Sequence, residues 1–162
     1  MARAKQSTGT PATVTLTRAG LAFTVLTYEH DPAAQSFGLE AAEALGLAPE
    51  QVFKTLLVEV DGKLAVGVVP VDRQLDLKAV AAALGAKKAV MAEPAAAERV
   101  TGYVVGGISP IGQKRRLPTV IDETATSHET VYVSGGRRGL DLGLSPADLI
   151  TITSARTAPI AR

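Results

Sequence analysis

Between Gln51 and Val71 the chain reads QVFKTLLVEVDGKLAVGVVPV, two apolar runs separated by Asp61-Gly62. Asp-Gly takes up the positive φ of a tight reversal at little cost, so the segment predicts a β-hairpin. In DLKAVAAALG the rhythm lengthens. Leu77, Val80, Ala81 and Leu84 fall at i, i+3, i+4 and i+7 and draw one apolar stripe down a helix, with Asp76 placed to cap it and Gly85 to end it. The same reasoning predicts a short helix from about Val14 to Gly20 and a strand from about Ala22 to Tyr28. A helix over Ser36 to Leu45 would close at Gly46, and Pro49 would open a short turn before the hairpin. Glu93-Pro94 starts a further helix that ends before Gly102. GYVVGGISPIG (102–112) reads as a strand broken by a glycine pair, and LPTVID and TVYVSGG as two more strands. In SPAD (145–148) Ser145 caps a final helix running to about Ile152. Strands and helices alternate early and hairpins follow, which predicts a mixed α/β (α+β) domain around a mixed, curved sheet. Residues 1–12, small and polar, are expected to form a disordered lead-in, and residues 13–162 a single domain without repeats.

Composition narrows the classes. Of 162 residues, 46% are hydrophobic, enough for a substantial core. Seventeen basic and sixteen acidic residues leave a net charge of +1, so no polybasic arm announces a nucleic acid. There is no cysteine, hence no disulfide framework, Cys-based metal site or protein thiol nucleophile. His30 and His128 are the only histidines, too few for a metal cluster, and no metal or cofactor is expected. No apolar run is long enough to span a bilayer or to act as a secretory signal, and the expected location is the cytoplasm.

Three features carry candidate chemistry. Alternation puts Lys54 on the more apolar face of its strand, with Val52, Leu56, Val58 and Val60. Its ammonium either snorkels to water or lines a pocket as a fixed positive charge. Gly106 and Gly107 mark either a bend or a place where a ligand approaches the backbone. In YVSGGRRGLDL (132–142), Ser134, Gly135 and Gly136 are expected to form a turn, and Asp141 to point away from Leu140 and Leu142, into a pocket. No G-x-S-x-G surrounds Ser134, which argues against a hydrolase triad. Lys87-Lys88, Lys114-Arg115-Arg116 and Arg137-Arg138 are short basic clusters, each either a solvated face or, if two converge, a place for the phosphates of an RNA end.

Taken together, YEHD (28–31), VFKTLL (52–57), VPVDRQLDLKAVAAALGAKK (69–88), TGYVVGGISPIGQKRRLPTVID (101–122) and YVSGGRRGLDL (132–142) resemble the YbaK/EbsC family, over roughly Leu21 to Ile150. The insertion domain of bacterial prolyl-tRNA synthetase shares that fold with weaker motifs. The resemblance implies a mixed β-sheet curved into a barrel-like core surrounded by helices. It implies an aminoacyl-tRNA deacylase that removes cysteine from mischarged Cys-tRNA(Pro), working as a monomer in transient company with prolyl-tRNA synthetase. The family's essential lysine falls at Lys54, and Tyr28, Gly106, Ser134 and Asp141 match other pocket positions, with Gly107 beside them. Phe53 stands where relatives often have tyrosine. The family's chemistry suits a chain without a nucleophile, because the cysteine on the tRNA brings its own thiol. A water-dependent deacylase for another small amino acid such as alanine, and a non-catalytic module binding tRNA or the synthetase, are the competing expectations.

Overall fold

The computed structural model describes residues 9–162. The first helix, α1 (Pro11–Arg18), begins before the expected Val14, because Thr10 caps it. Thr10 Oγ1 accepts the Thr13 N–H and Thr13 Oγ1 accepts the Thr10 N–H, so two otherwise orphaned donors are satisfied together. Ala12 and Leu16 are sealed in the core, so residues 9–12 of the expected lead-in are ordered parts of the fold, while residues 1–8 lie outside the described residues.

The order continues with β1 (Thr24–Thr27), α2 (Phe37–Leu45), a 3-10 turn (Pro49–Gln51), β2 (Phe53–Val60), β3 (Lys63–Pro70), α3 (Leu77–Ala83), β4 (Ala89–Met91), α4 (Pro94–Thr101), β5 (Thr119–Asp122), a 3-10 turn (Glu123–Ser127), β6 (Val131–Arg137), β7 (Leu140–Leu144), α5 (Pro146–Thr153) and β8 (Arg156–Ala158). The caps fall where side-chain chemistry predicts them: Ser36, Asp76 and Ser145 each accept a backbone N–H three residues on. The hairpin turns at Asp61-Gly62, both at positive φ, and pairs Val60 with Lys63.

The mixed α/β class holds, but the strands do not close into one barrel-like sheet. They form a three-stranded antiparallel sheet, β1-β7-β6, and a five-stranded mixed sheet, β4-β2-β3-β5-β8. Strand β2 lies between two cores. Phe53 and Leu57 pack with Val131, Val133, Leu142 and Leu144 of the smaller sheet. Leu56, Val58 and Val60, on the opposite face, pack with Val80, Ala81 and Leu77 of α3. One parallel bridge, Val52 to Tyr132, links the backbones of the two sheets, and among the described residues no strand pairing joins them beyond it.

Two local expectations are corrected. Residues 102–112 form a folded loop. Gly102 and Gly106 take positive φ, and Tyr103 turns inward to donate its hydroxyl to the Ile111 carbonyl at 2.6 Å, while Val104 is left 51% exposed. An apolar run can thus be buried residue by residue without a ladder. Ser134, Gly135 and Gly136 do not form a turn. They belong to β6, which pairs Ser134 with Asp141 and Arg137 with Leu140, so the two glycines are taken up as a bulge. The reversal comes at Arg138-Gly139. Gly139 has a φ of 84°, and a Cβ there would lie 2.7 Å from the Tyr28 carbonyl oxygen.

Candidate active site

Beyond the Val52–Tyr132 bridge the diverging sheets leave a cavity of about 370 Å³, lined by Tyr28, Phe37, Lys54, Thr55, Gly106, Ser134 and Asp141 among others. Lys54 and Ser134 are each two residues past the bridge, on strands running the same way, and both line the cavity. Ser134 and Asp141 are direct cross-strand partners and therefore share a face. Tyr28 follows β1, where its N–H donates to the Gly139 carbonyl at 3.0 Å, so the β6–β7 turn sets its position. Helix α2 covers Lys54 closely because Gly38 has no side chain. A Cβ there would collide with Val71 and stand 4.0 Å from Lys54 Cβ.

The charges in the cavity are kept apart. Lys54 is half-buried and makes no hydrogen bond or salt bridge among the described residues. Burial pulls its ammonium below the usual lysine value, opposed by the Asp72 carboxylate. Asp141 is 5% exposed, its carboxylate accepts no hydrogen bond among the described residues, and desolvation pushes it up to about 7. Burial, and then the nearby Asp141 charge, push the Tyr28 phenol up to about 12. Opposite charges in one cleft usually pair. Here a gap separates them, of a kind that suits a ligand with an acceptor at one end and a cation at the other.

Five sequence-predicted site residues, Tyr28, Lys54, Gly106, Ser134 and Asp141, thus line one cavity. Gly107 does not. A Cβ on it would lie 2.7 Å from Arg137 Cα, so its place is against the β6–β7 turn, where no side chain fits. Ser134 Oγ accepts the Gly136 N–H at 3.2 Å and meets neither histidine. His30 instead pairs through Nδ1 with Glu40 Oε1 at 2.8 Å and packs on Phe37, while His128 stands edge-on to Phe53. Thr55 was missed by the sequence reading. Its Oγ1 is buried with no hydrogen-bond partner among the described residues, and the residue lines this cavity. A hydroxyl next to the pocket lysine in KT was the available signal, but alternation assigns Thr55 to the far face and hid it. Among the described residues no group of three or more His, Cys, Asp or Glu could hold a metal, and no helix is long and apolar enough to cross a membrane.

Comparison with known proteins identifies the family. Residues 31–152 match the aminoacyl-tRNA editing domain model. EbsC of Enterococcus faecalis, a candidate Cys-tRNA(Pro)/Cys-tRNA(Cys) deacylase, is 40% identical over 121 residues, covering 74% of this chain and 73% of that protein. The proline–tRNA ligase of Maridesulfovibrio salexigens is 30% identical over 131 residues, 74% of this chain but 22% of the synthetase. A crystal structure of a candidate trans-editing enzyme for prolyl-tRNA synthetase superposes with a TM-score of 0.79 at 26% identity, covering 98% of this chain and 96% of that one. The fold is that of aminoacyl-tRNA editing domains. Within that class, the chain belongs to the YbaK/EbsC family.

Proposed function

We propose that this protein is an aminoacyl-tRNA deacylase that removes cysteine from mischarged Cys-tRNA(Pro), and possesses the same activity toward Cys-tRNA(Cys). The observation that carries the reading is the pair of unpartnered charges, Lys54 and Asp141, facing one cavity in a chain that offers no nucleophile–base pair there. Asp141 would hold the α-ammonium of the cysteinyl group, which restores the ionised carboxylate that burial disfavours. Lys54 and the Gly106 N–H would donate to the ester carbonyl oxygen as it gains negative charge. Tyr28 would wall the pocket.

The reacting group comes from the substrate. The cysteine sulfur attacks the ester carbonyl carbon, the bond from that carbon to the terminal ribose oxygen breaks, and the thiol proton ends on that oxygen. The products are free tRNA and a cyclic cysteine thiolactone. Near-attack positioning of this kind is worth roughly 7–11 kcal/mol. Selection also follows, because a hydroxyl in place of the thiol fits nearly as well but reacts less readily. Prolyl-tRNA synthetase, whose insertion domain shares the fold, is the proposed transient partner that brings the tRNA.

A water-dependent deacylase for another small amino acid has one observation in its favour: a carboxyl titrating near 7 suits a general base. Deacylation of Cys-tRNA(Pro), Ser-tRNA(Pro) and an S-alkylated cysteinyl-tRNA, with and without the synthetase, separates the two. The thiol route predicts cleavage of the first alone; equal rates on all three would establish the water route.

A further inference from the structure

Arg138, in the turn between β6 and β7, is used by neither the fold nor the chemistry described so far. Its guanidinium reaches the 102–112 loop, where Nε and Nη2 both donate to the Val105 carbonyl oxygen, at 2.9 and 2.6 Å. The same group lies over the Phe37 ring, 5.0 Å from its centroid. The loop makes a tight turn at this point. The Gly107 N–H donates to the Val104 carbonyl at 2.8 Å, and Gly106 has a φ of 90°, the type II arrangement with glycine in third place. The central peptide of such a turn, Val105–Gly106, can rotate over to the type I form, and glycine permits both. Arg138 grips the carbonyl of that peptide.

A trans peptide points its C=O and N–H in opposite directions. A Val105 carbonyl anchored on Arg138 therefore turns the Gly106 N–H away from the guanidinium. That N–H has no acceptor among the described residues, and both Val105 and Gly106 line the cavity. The packing leaves no slack: a Cβ at Gly106 would lie 2.8 Å from the Phe37 ring and 2.9 Å from Arg138 Nε. Two donors on one carbonyl oxygen resist rotation in a way that the single ammonium of a lysine does not.

We propose that Arg138 is a positioning residue: by fixing the Val105 carbonyl it aims the Gly106 N–H at the carbonyl oxygen of a bound aminoacyl ester. This rests on the deacylase reading, and the test separates the two. Wild type, Arg138→Ala and Arg138→Lys are compared for kcat and KM on Cys-tRNA(Pro) at low and high salt, and the Gly106 amide resonance of each 15N-labelled protein is recorded without substrate. The expected result for Arg138→Ala is a kcat lower by about ten- to a hundredfold with KM within about twofold. Its Gly106 resonance shifts while the rest of the spectrum keeps its dispersion, and Arg138→Lys recovers part of both. A raised KM with unchanged kcat, lost at high salt, would make Arg138 a phosphate contact and overturn the proposal. So would an unmoved Gly106 resonance. If wild type fails to cleave the substrate, the deacylase reading falls, and the Gly106 resonance still decides whether Arg138 sets this peptide.

Discussion

Asp122 and Asp141 are almost equally buried, at 2% and 5% exposure, and the structure uses them in opposite ways. Asp122 ends β5. Its Oδ1 accepts the Ile160 and Ala161 N–H groups, each at 2.9 Å, and its Oδ2 accepts the Thr124 N–H and hydroxyl. Four donors tie the C-terminal tail and a 3-10 turn to the larger sheet. Asp141, in the middle of the smaller sheet, receives none and faces the cavity. Burial alone therefore does not separate a structural carboxylate from a functional one; the count of partners does. The same contrast holds for the cations. Arg138 spends its donors on Val105, while Lys54 keeps its own free of protein partners.

The contrast breaks most visibly at Lys54. Lys54→Ala should lower kcat/KM for deacylation by about a hundred- to a thousandfold, the usual cost of losing a donor to a developing oxyanion. Because the ammonium is half-buried without a hydrogen-bond or salt-bridge partner among the described residues, the thermal midpoint of the variant should stay level or rise. A non-catalytic binding module would show no turnover to lose.

Asp122→Ala should do the reverse. It leaves the Ile160 and Ala161 N–H groups and the Thr124 side chain without their acceptor, at a cost of about 3 kcal/mol in urea unfolding. Activity well below the unfolding midpoint should stay near wild type.

Asp141→Asn sharpens the comparison through pH. The folded-state carboxyl titrates near 7, against 3.8 in the unfolded chain, so the native protein keeps a proton that the unfolded chain releases. Wild-type stability should therefore fall as pH rises from about 4 to about 7 through this group. The asparagine variant escapes that loss, so its advantage should grow across the window and level off above it. A constant difference from pH 4 to 8 would show that Asp141 has a partner in solution. The smallest effect is expected at Thr55. Its hydroxyl is buried and unpaired, so Thr55→Val should change stability by less than about 1 kcal/mol, while a hydroxyl that meets substrate would show as a slower deacylation.

Legibility followed the range of the interactions. Asp76 and Ser145 were readable as caps, and Asp61-Gly62 as a reversal, because each depends on residues within four positions. The family motifs made Tyr28, Lys54, Gly106, Ser134 and Asp141 candidates, although alternation alone left Lys54 open between solvent and pocket. The failures share one cause. GYVVGGISPIG is apolar enough for a strand, but its partners are Arg138 and Phe37, far off in the chain. The glycine pair after Ser134 looks like a turn locally and becomes a bulge because β7 supplies pairing on both sides of it.

By itself, the sequence determined the mixed α/β class, the hairpin, the caps at Asp76 and Ser145, the absence of a cysteine nucleophile, and a lysine set in an apolar strand. Those depend on backbone preference and side-chain period, which act over a few residues. Only the tertiary structure decided that the sheets stay separate, that they part beyond the Val52–Tyr132 bridge, and that Lys54, Thr55 and Asp141 face the resulting space without protein partners. Whether a buried polar group is satisfied depends on what the rest of the chain brings to it, and that is settled only when distant strands are paired.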